Sequence, residues 1–222
     1  MTTTEIKIKI SEELGEVSGI FSRPDNSKYL LVLAHGAGAD MRHSFMETLT
    51  NDLNQNEIAV LRFNFRYKEL GKGAPDRPKV ALPTVKAAIE KGIELADGIP
   101  VLAGGKSFGG RMTSQLAASE NLENLKGLVF FGFPLHSPSK VGIERAAHLA
   151  DVPQPMLFLQ GTRDTLAQIP LITEVCDGLD KATLTIFEGA DHSFKTLKRS
   201  GITHEEMITK LAKETKSWAD KI

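Results

Sequence analysis

The amino-terminal segment alternates strictly between apolar and polar residues. Glu5-Ile6-Lys7-Ile8-Lys9-Ile10 repeats with period 2, as in a strand with one face on a core and the other in water. Residues 17–22 form a second strand after a polar turn, so an antiparallel hairpin is expected. Arg23-Pro24-Asp25-Asn26 reads as a turn by composition and proline geometry. From residue 29 the pattern changes. Tyr29-Leu30-Leu31-Val32-Leu33-Ala34 is an unbroken apolar run, as expected of a strand covered on both faces. Comparable runs follow at 59–65, 100–103, 127–131, 156–159 and 182–187, and helical stretches between them at 44–54, 82–95, 108–118, 169–179 and 205–222. Such alternation predicts an α/β fold: a mainly parallel, twisted sheet with helices on both faces and right-handed crossovers. The hairpin would add an antiparallel N-terminal edge. No repeat or linker divides the chain, so residues 1–222 are expected to form one domain.

The charge balance narrows the partners. Lys and Arg number 27 and Asp and Glu 28, a net charge of −1, so the chain lacks the basic field that nucleic acid or an anionic membrane would require. A small molecule is the expected partner. Hydrophobic residues at 41% and charged residues at 25% are a globular balance, which excludes wholesale disorder. Cys176 is the sole cysteine; it allows no internal disulfide or multi-cysteine metal site, and its mid-helix position points to packing. Met1-Thr2-Thr3-Thr4-Glu5 has neither the basic start nor the apolar run of a signal peptide, and the apolar runs are too short to span a bilayer. A cytoplasmic location is expected.

Ligands of such sheets bind just beyond the carboxyl ends of the strands, and the chain's unusual residues fall there. After Val101-Leu102-Ala103 comes Gly104-Gly105-Lys106-Ser107-Phe108-Gly109-Gly110 and then a helical stretch. Residues 105–109 match Gly-x-Ser-x-Gly in the strand–turn–helix context of a nucleophile elbow. A serine hydroxyl needs a base, itself oriented by an acid. Asp164 follows the strand at 156–159, and His192 follows the strand at 182–187. The chain order Ser107, Asp164, His192 is that of α/β-hydrolases. His35-Gly36-Ala37-Gly38-Ala39 follows another strand end, where this arrangement offers an oxyanion hole. The expected donors are the backbone N–H of Ala37, with Gly38 the lesser alternative, and that of Phe108.

Each element alone has an ordinary reading: a glycine-rich turn, an aspartate capping a helix from Leu166 onward, a solvated histidine. Their joint order and strand-end placement favour the catalytic one. Nearby patterns fail as motifs. A phosphate-binding loop would need glycine at position 100, which is Pro100; a dinucleotide fingerprint would need glycine at 41, which is Met41; and a zinc-protease helix starting at His204 would need histidine where Ile208 stands. No metal or organic cofactor is expected. Lys106 is expected in a structural ion pair, Asp191 beside the His192 backbone, and His35 as a support for the oxyanion loop. For His136 and Arg145 two readings stay open, one facing the site and one in packing or a surface ion pair. Between Gly132 and Met156 only one short helix fits, at 141–149, so no large lid is expected over an open pocket.

With these motifs assembled, the chain resembles the α/β-hydrolase superfamily over nearly its whole length. Arg62-Phe63-Asn64-Phe65-Arg66-Tyr67, Ala74-Pro75-Asp76-Arg77-Pro78, Gly104 to Arg111, Phe133-Pro134-Leu135-His136 and Gly161-Thr162-Arg163-Asp164 resemble one small branch. It holds the testis-expressed hydrolase-like protein, the hydrolase-like domain of a non-specific-lethal-complex subunit, and bacterial relatives called dienelactone-hydrolase-like. Arg66 departs from that branch, where proline is expected, and Ser107 from dienelactone hydrolases proper, whose nucleophile is cysteine. The resemblance implies the α/β-hydrolase fold and the triad positions. The expected function is a serine hydrolase, a carboxylesterase of small acyl esters. The alternatives are a non-catalytic binding or scaffold module of the same fold, or a thioesterase or small-peptide hydrolase.

Overall fold

The computed structural model describes residues 1–137 and 139–222. Eight strands form one sheet: β1 (Thr2–Ser11), β2 (Gly15–Arg23), β3 (Tyr29–Ala34), β4 (Ile58–Phe63), β5 (Val101–Lys106), β6 (Leu125–Phe131), β7 (Met156–Gly161) and β8 (Ala182–Phe187). Their order is β1-β2-β4-β3-β5-β6-β7-β8. The β1–β2 hairpin is antiparallel and joins the sheet through an antiparallel β2–β4 pairing, and all the other pairings are parallel. The hydrophobic pattern therefore gave the α/β class and the antiparallel edge correctly.

The apolar runs alternate between two cores. Leu30, Val32, Phe130 and Phe158 face one hydrophobic layer with α3 (Pro78–Ala96), α4 (Phe108–Ser119) and α5 (Ile169–Asp177). Leu31, Leu33, Phe131 and Leu157 face the other, with α1 (Ser44–Gln55) and α6 (His204–Ala219). Both faces are covered, which is why these strands are apolar throughout. α6 starts with a reciprocal capping box between Thr203 and Glu206, which satisfies two N-terminal donors.

Several expected boundaries move. α3 begins at Pro78 and carries Pro83 inside it. Pro78 suits the first turn, where an N–H has no helical acceptor, and packing of Val85, Ala88 and Ile89 carries the helix through the one bond that Pro83 removes. β8 was expected to be covered on both faces, but it is the sheet's edge and Ile186 is exposed. A short helix, α2 (Arg66–Glu69), was not foreseen; Arg66 Nε donates to the Leu14 carbonyl at 2.7 Å and ties it to the β1–β2 turn. Among its described residues the β6–β7 connection carries only a 3-10 helix, Glu144–Asp151, and no lid domain. Among the described residues no helix is long and apolar enough to cross a membrane.

The topology positions a crevice. β3 connects through α1 to β4 on one side, whereas β5 connects through α4 to β6 on the other. The strand order therefore reverses between adjacent β3 and β5, and their carboxyl ends border an open cleft. β5 reaches this point by unusually close packing: a Cβ on Gly105 would lie 2.3 Å from the Ala34 carbonyl oxygen. That oxygen belongs to the central sheet and cannot yield cheaply. Gly105→Ala is expected to cost ~2–3 kcal/mol of stability by overpacking, seen as a lower urea midpoint. Gly73→Ala, where an added Cβ meets nothing within 4 Å, should leave the midpoint unchanged within about 0.5 kcal/mol.

Candidate active site

Ser107 sits between β5 and α4 with φ 50° and ψ −112°. This is a left-handed backbone at a non-glycine residue, a strain of about 1–3 kcal/mol that the surroundings must hold. Its N–H donates to the Phe131 carbonyl at 3.3 Å, and its carbonyl accepts from the Arg111 N–H at 3.0 Å. Gly109 lets α4 start against β3, since a Cβ there would come 2.5 Å from the Ala34 oxygen. The turn aims Oγ out of the sheet edge into the cleft.

The structure brings Ser107, His192 and Asp164 together. Ser107 Oγ lies 2.8 Å from His192 Nε2, and His192 Nδ1 lies 2.6 Å from Asp164 Oδ2. With Nδ1–H donating to the carboxylate, Nε2 is left to accept the serine proton. The Asp164 side chain is 0% exposed and the His192 side chain 23%, so a ligand can reach the imidazole while the carboxylate stays behind it. Burial is the main cause that lowers the His192 pKa; the Asp164 hydrogen bond opposes it and the Lys106 charge reinforces it.

Asp164 is held by more than its imidazole. Its Oδ2 also accepts from Gln160 Nε2 at 2.5 Å and its Oδ1 from the Leu166 N–H at 2.8 Å. The capping role considered for this aspartate therefore coexists with its bond to His192. Gln160, fully buried at the end of β7, also accepts from the Phe133 N–H at 3.1 Å. Sequence reasoning passed over Gln160; its signal was a glutamine closing the otherwise apolar run from Met156 to Leu159. Asp191 turns elsewhere: its Oδ1 accepts from the N–H groups of Ser193 and Lys195. That bond pattern closes the turn that carries His192, with Phe194 at φ 59° and its buried ring between Phe45 and Phe187.

The loop after β3 lies against the elbow. Ala39 N–H donates to the Gly36 carbonyl, and Gly38 takes a positive φ of 78°. Ala37 lines one cavity with Ser107 and His192. Phe108 is the first residue of α4, so its N–H has no acceptor within the helix. His35, fully buried, braces this loop: its ring bonds the Gly36 carbonyl through Nδ1 at 2.9 Å and the Phe65 N–H through Nε2 at 3.1 Å. Nε2 must accept there, so Nδ1 carries the proton and the ring is neutral. Burial pushes its pKa down to about 4.

The cavity has a volume of about 600 Å³, with His43, Phe45, Met46, Leu166, Lys195 and His204 also on its walls. His136 and Arg145 are outside this lining. His136 bonds the Ser137 carbonyl and the Gln168 side chain, and Arg145 donates to the His136 carbonyl, so both brace the β6–β7 connection. The ion pair expected of Lys106 is not formed: its Nζ is buried without a hydrogen-bond partner. Its side chain stands on the cavity wall beside Ser107, and the covered Nζ lies 5.8 Å from the centroid of the Phe194 ring, with no carboxylate among the described residues within bonding distance.

The chain matches the alpha/beta hydrolase domain family over residues 27–220. It is similar in fold to a dienelactone hydrolase from Anabaena variabilis at 18% identity, covering 98% of this chain and 96% of that one with a TM-score of 0.74. An alpha-beta serine hydrolase homologue from Coxiella burnetii matches at 19% identity, with coverage of 99% and 96% and a TM-score of 0.74. A lidless alpha/beta serine hydrolase from Xanthomonas campestris matches at 18% identity, with coverage of 98% and 95% and a TM-score of 0.76.

The neutral brace at His35 makes stability depend on pH. In the unfolded chain this histidine takes a proton near pH 6.5, whereas the folded one resists until about 4. Its contribution is therefore complete above about pH 6.5 and is lost as pH falls towards 4, a loss of about 3 kcal/mol at 1.36 kcal/mol per unit. Urea denaturation between pH 7 and 4.5 should show a weaker pH dependence for His35→Asn than for wild type. Equal slopes would mean that His35 is not held neutral.

Proposed function

The chain belongs to the alpha/beta hydrolase domain family, and from that premise we propose that it is a serine hydrolase of small carboxylic esters. Ser107 is the nucleophile, His192 the base and Asp164 the orienting acid. The observation that carries this reading is the hydrogen-bonded line from a strained, cleft-facing serine through one imidazole to a buried carboxylate, at 2.8 and 2.6 Å.

In this reading Ser107 Oγ attacks the ester carbonyl carbon while His192 Nε2 takes the hydroxyl proton. The carbonyl oxygen becomes an oxyanion, held by the N–H groups of Ala37 and Phe108, each such donor being worth about 3 kcal/mol in the transition state. Collapse of the tetrahedral intermediate breaks the bond to the alcohol, which leaves with the proton from His192. Water then attacks the acyl-enzyme with His192 again as base, and releases the acid and free Ser107. Asp164 keeps the proton on Nδ1 throughout and stabilises the imidazolium that forms in each half. The absence of a lid over the β6–β7 connection supports small acyl groups, because a long chain would find little apolar surface to enclose it. The lidless serine hydrolase of the same fold is consistent with that architecture.

Fluorophosphonate labelling followed by peptide mass spectrometry tests the reading directly. An adduct on Ser107, lost in Ser107→Ala, is expected, since its hydroxyl meets His192 Nε2 on the cavity wall, whereas Ser114, whose Oγ lies 2.7 Å from His148 Nε2, is fully buried and should stay unlabelled. No adduct under conditions that label a known esterase would make the chain a binding module of the same fold.

The assignment of the acid has its own test. Asp164→Asn should lower kcat by ~10⁴-fold, the scale for a triad aspartate. It should also move the acid limb of kcat/KM to lower pH, because a negative charge favouring imidazolium is gone. Asp191→Asn keeps a carbonyl oxygen for the Ser193 and Lys195 amides and should stay within about tenfold of wild type. The reverse ranking would transfer the role to Asp191.

A further inference from the structure

The end of β5 carries a cation that the proposed chemistry leaves unused. Lys106 precedes Ser107, and its stem runs against the β3 loop: a Cβ on Gly36 would meet its Cγ at 3.5 Å. The Nζ is buried and has no hydrogen-bond partner. It lies 5.8 Å from the centroid of the Phe194 ring, on the turn that bears His192. On its other side is Gly132, at φ 71° just past β6. A Cβ there would come 3.2 Å from Lys106 Nζ and 3.5 Å from His192 Nδ1. One glycine thus leaves the space into which both the ammonium and the imidazole project.

A buried cation without a partner opposes folding. A methionine of similar length would fill the same slot against Phe194 at no such cost. Burial pushes the Lys106 pKa down to about 8, with Asp164 and Asp191 acting the other way. The groups acting on His192 fall into two sets. Asp164 from the β7–α5 loop and Asp191 from its own turn favour the imidazolium; Lys106, from the end of β5, opposes it. Lys195, His43 and His204 stand on the cavity wall.

We propose that Lys106 is a positioning residue for the His192–Asp164 pair: its buried ammonium, set between the Phe194 ring and the gap at Gly132, keeps the imidazole unprotonated, and so ready as base, in mildly acidic solution. The inference rests on the reading of His192 as that base. Lys106 touches no reacting atom. It acts through the imidazole, by making a second positive charge beside it costly.

The test compares wild type with Lys106→Met and Lys106→Gln by the pH dependence of p-nitrophenyl acetate hydrolysis and by NMR titration of the His192 ring. Loss of the ammonium should move the acid limb of kcat/KM to higher pH, opposite to Asp164→Asn. Activity at about pH 6 should fall roughly threefold to tenfold relative to that at about pH 8. The His192 ring should titrate at correspondingly higher pH, and the urea midpoint should be kept or raised, since a costly charge has gone. In wild type, the His192 resonances should show a second inflection near pH 8 as Lys106 loses its proton, a readout that needs no variant to fold. An unchanged acid limb and unchanged ring titration in a folded variant, or no second inflection in wild type, overturns the proposal and leaves the esterase reading standing. Failure of Ser107 to label overturns the esterase reading, and the ring titration still decides the charge effect of Lys106.

Discussion

The close packing at the end of β5 is the constraint on which the rest depends. β5 runs between β3 and β6 and must turn at once into α4, with no room for a Cβ two residues before or two residues after Ser107. Gly105 and Gly109 both face the Ala34 carbonyl, where a Cβ would come within 2.3 and 2.5 Å. With those positions fixed, Ser107 is left in a backbone conformation that a free serine avoids. The strain is held by a buried sheet that cannot relax without losing strand pairing on both sides. Ser107 reaches the cavity because the turn is too tight to bury it.

Around that turn the polar groups are arranged so that few can change partners. Asp164 accepts from His192, Gln160 and Leu166, and Gln160 is fixed in turn by the Phe133 amide. Each donor has one acceptor, so the imidazole has one tautomer and one orientation. His35 does the same for the loop after β3, neutral because a charge there would be buried between Gly36 and Phe65. Polar atoms with partners are worth most where the dielectric is low, and the same low dielectric makes an unpartnered one expensive. Lys106 is that expensive case.

The cleft's position follows from topology. The direction of strand addition reverses between β3 and β5, so no connection covers their carboxyl ends. The β6–β7 connection, where a lid domain could sit, is held down by two of its own residues: Arg145 donates to the His136 carbonyl, and the His136 ring bonds Gln168 at the start of α5. The cavity beside Ser107 therefore takes its walls from the loop after β3, the start of α1, Leu166, the His192 turn and the start of α6.

The sequence by itself determined the α/β class, the antiparallel edge, the absence of a lid, and the strand ends at which Ser107, Asp164, His192 and Ala37 stand. Those properties are local: periodicity, glycine at a turn, and the order of segments do not depend on what packs across from them. Tertiary structure alone decided the others. The run at 182–187 has the composition of a covered strand, but its place at the sheet's edge depends on the order in which strands pair. Gln160 looked like the polar end of a strand until the Asp164 carboxylate met it. Lys106 reads from the sequence as half of an ion pair because neighbours at such a turn point to different sides, which takes it away from the Ser107 hydroxyl. Its lack of a partner is set by where Gly132 leaves space and where Phe194 turns its ring, two segments distant in sequence from Lys106 and from each other.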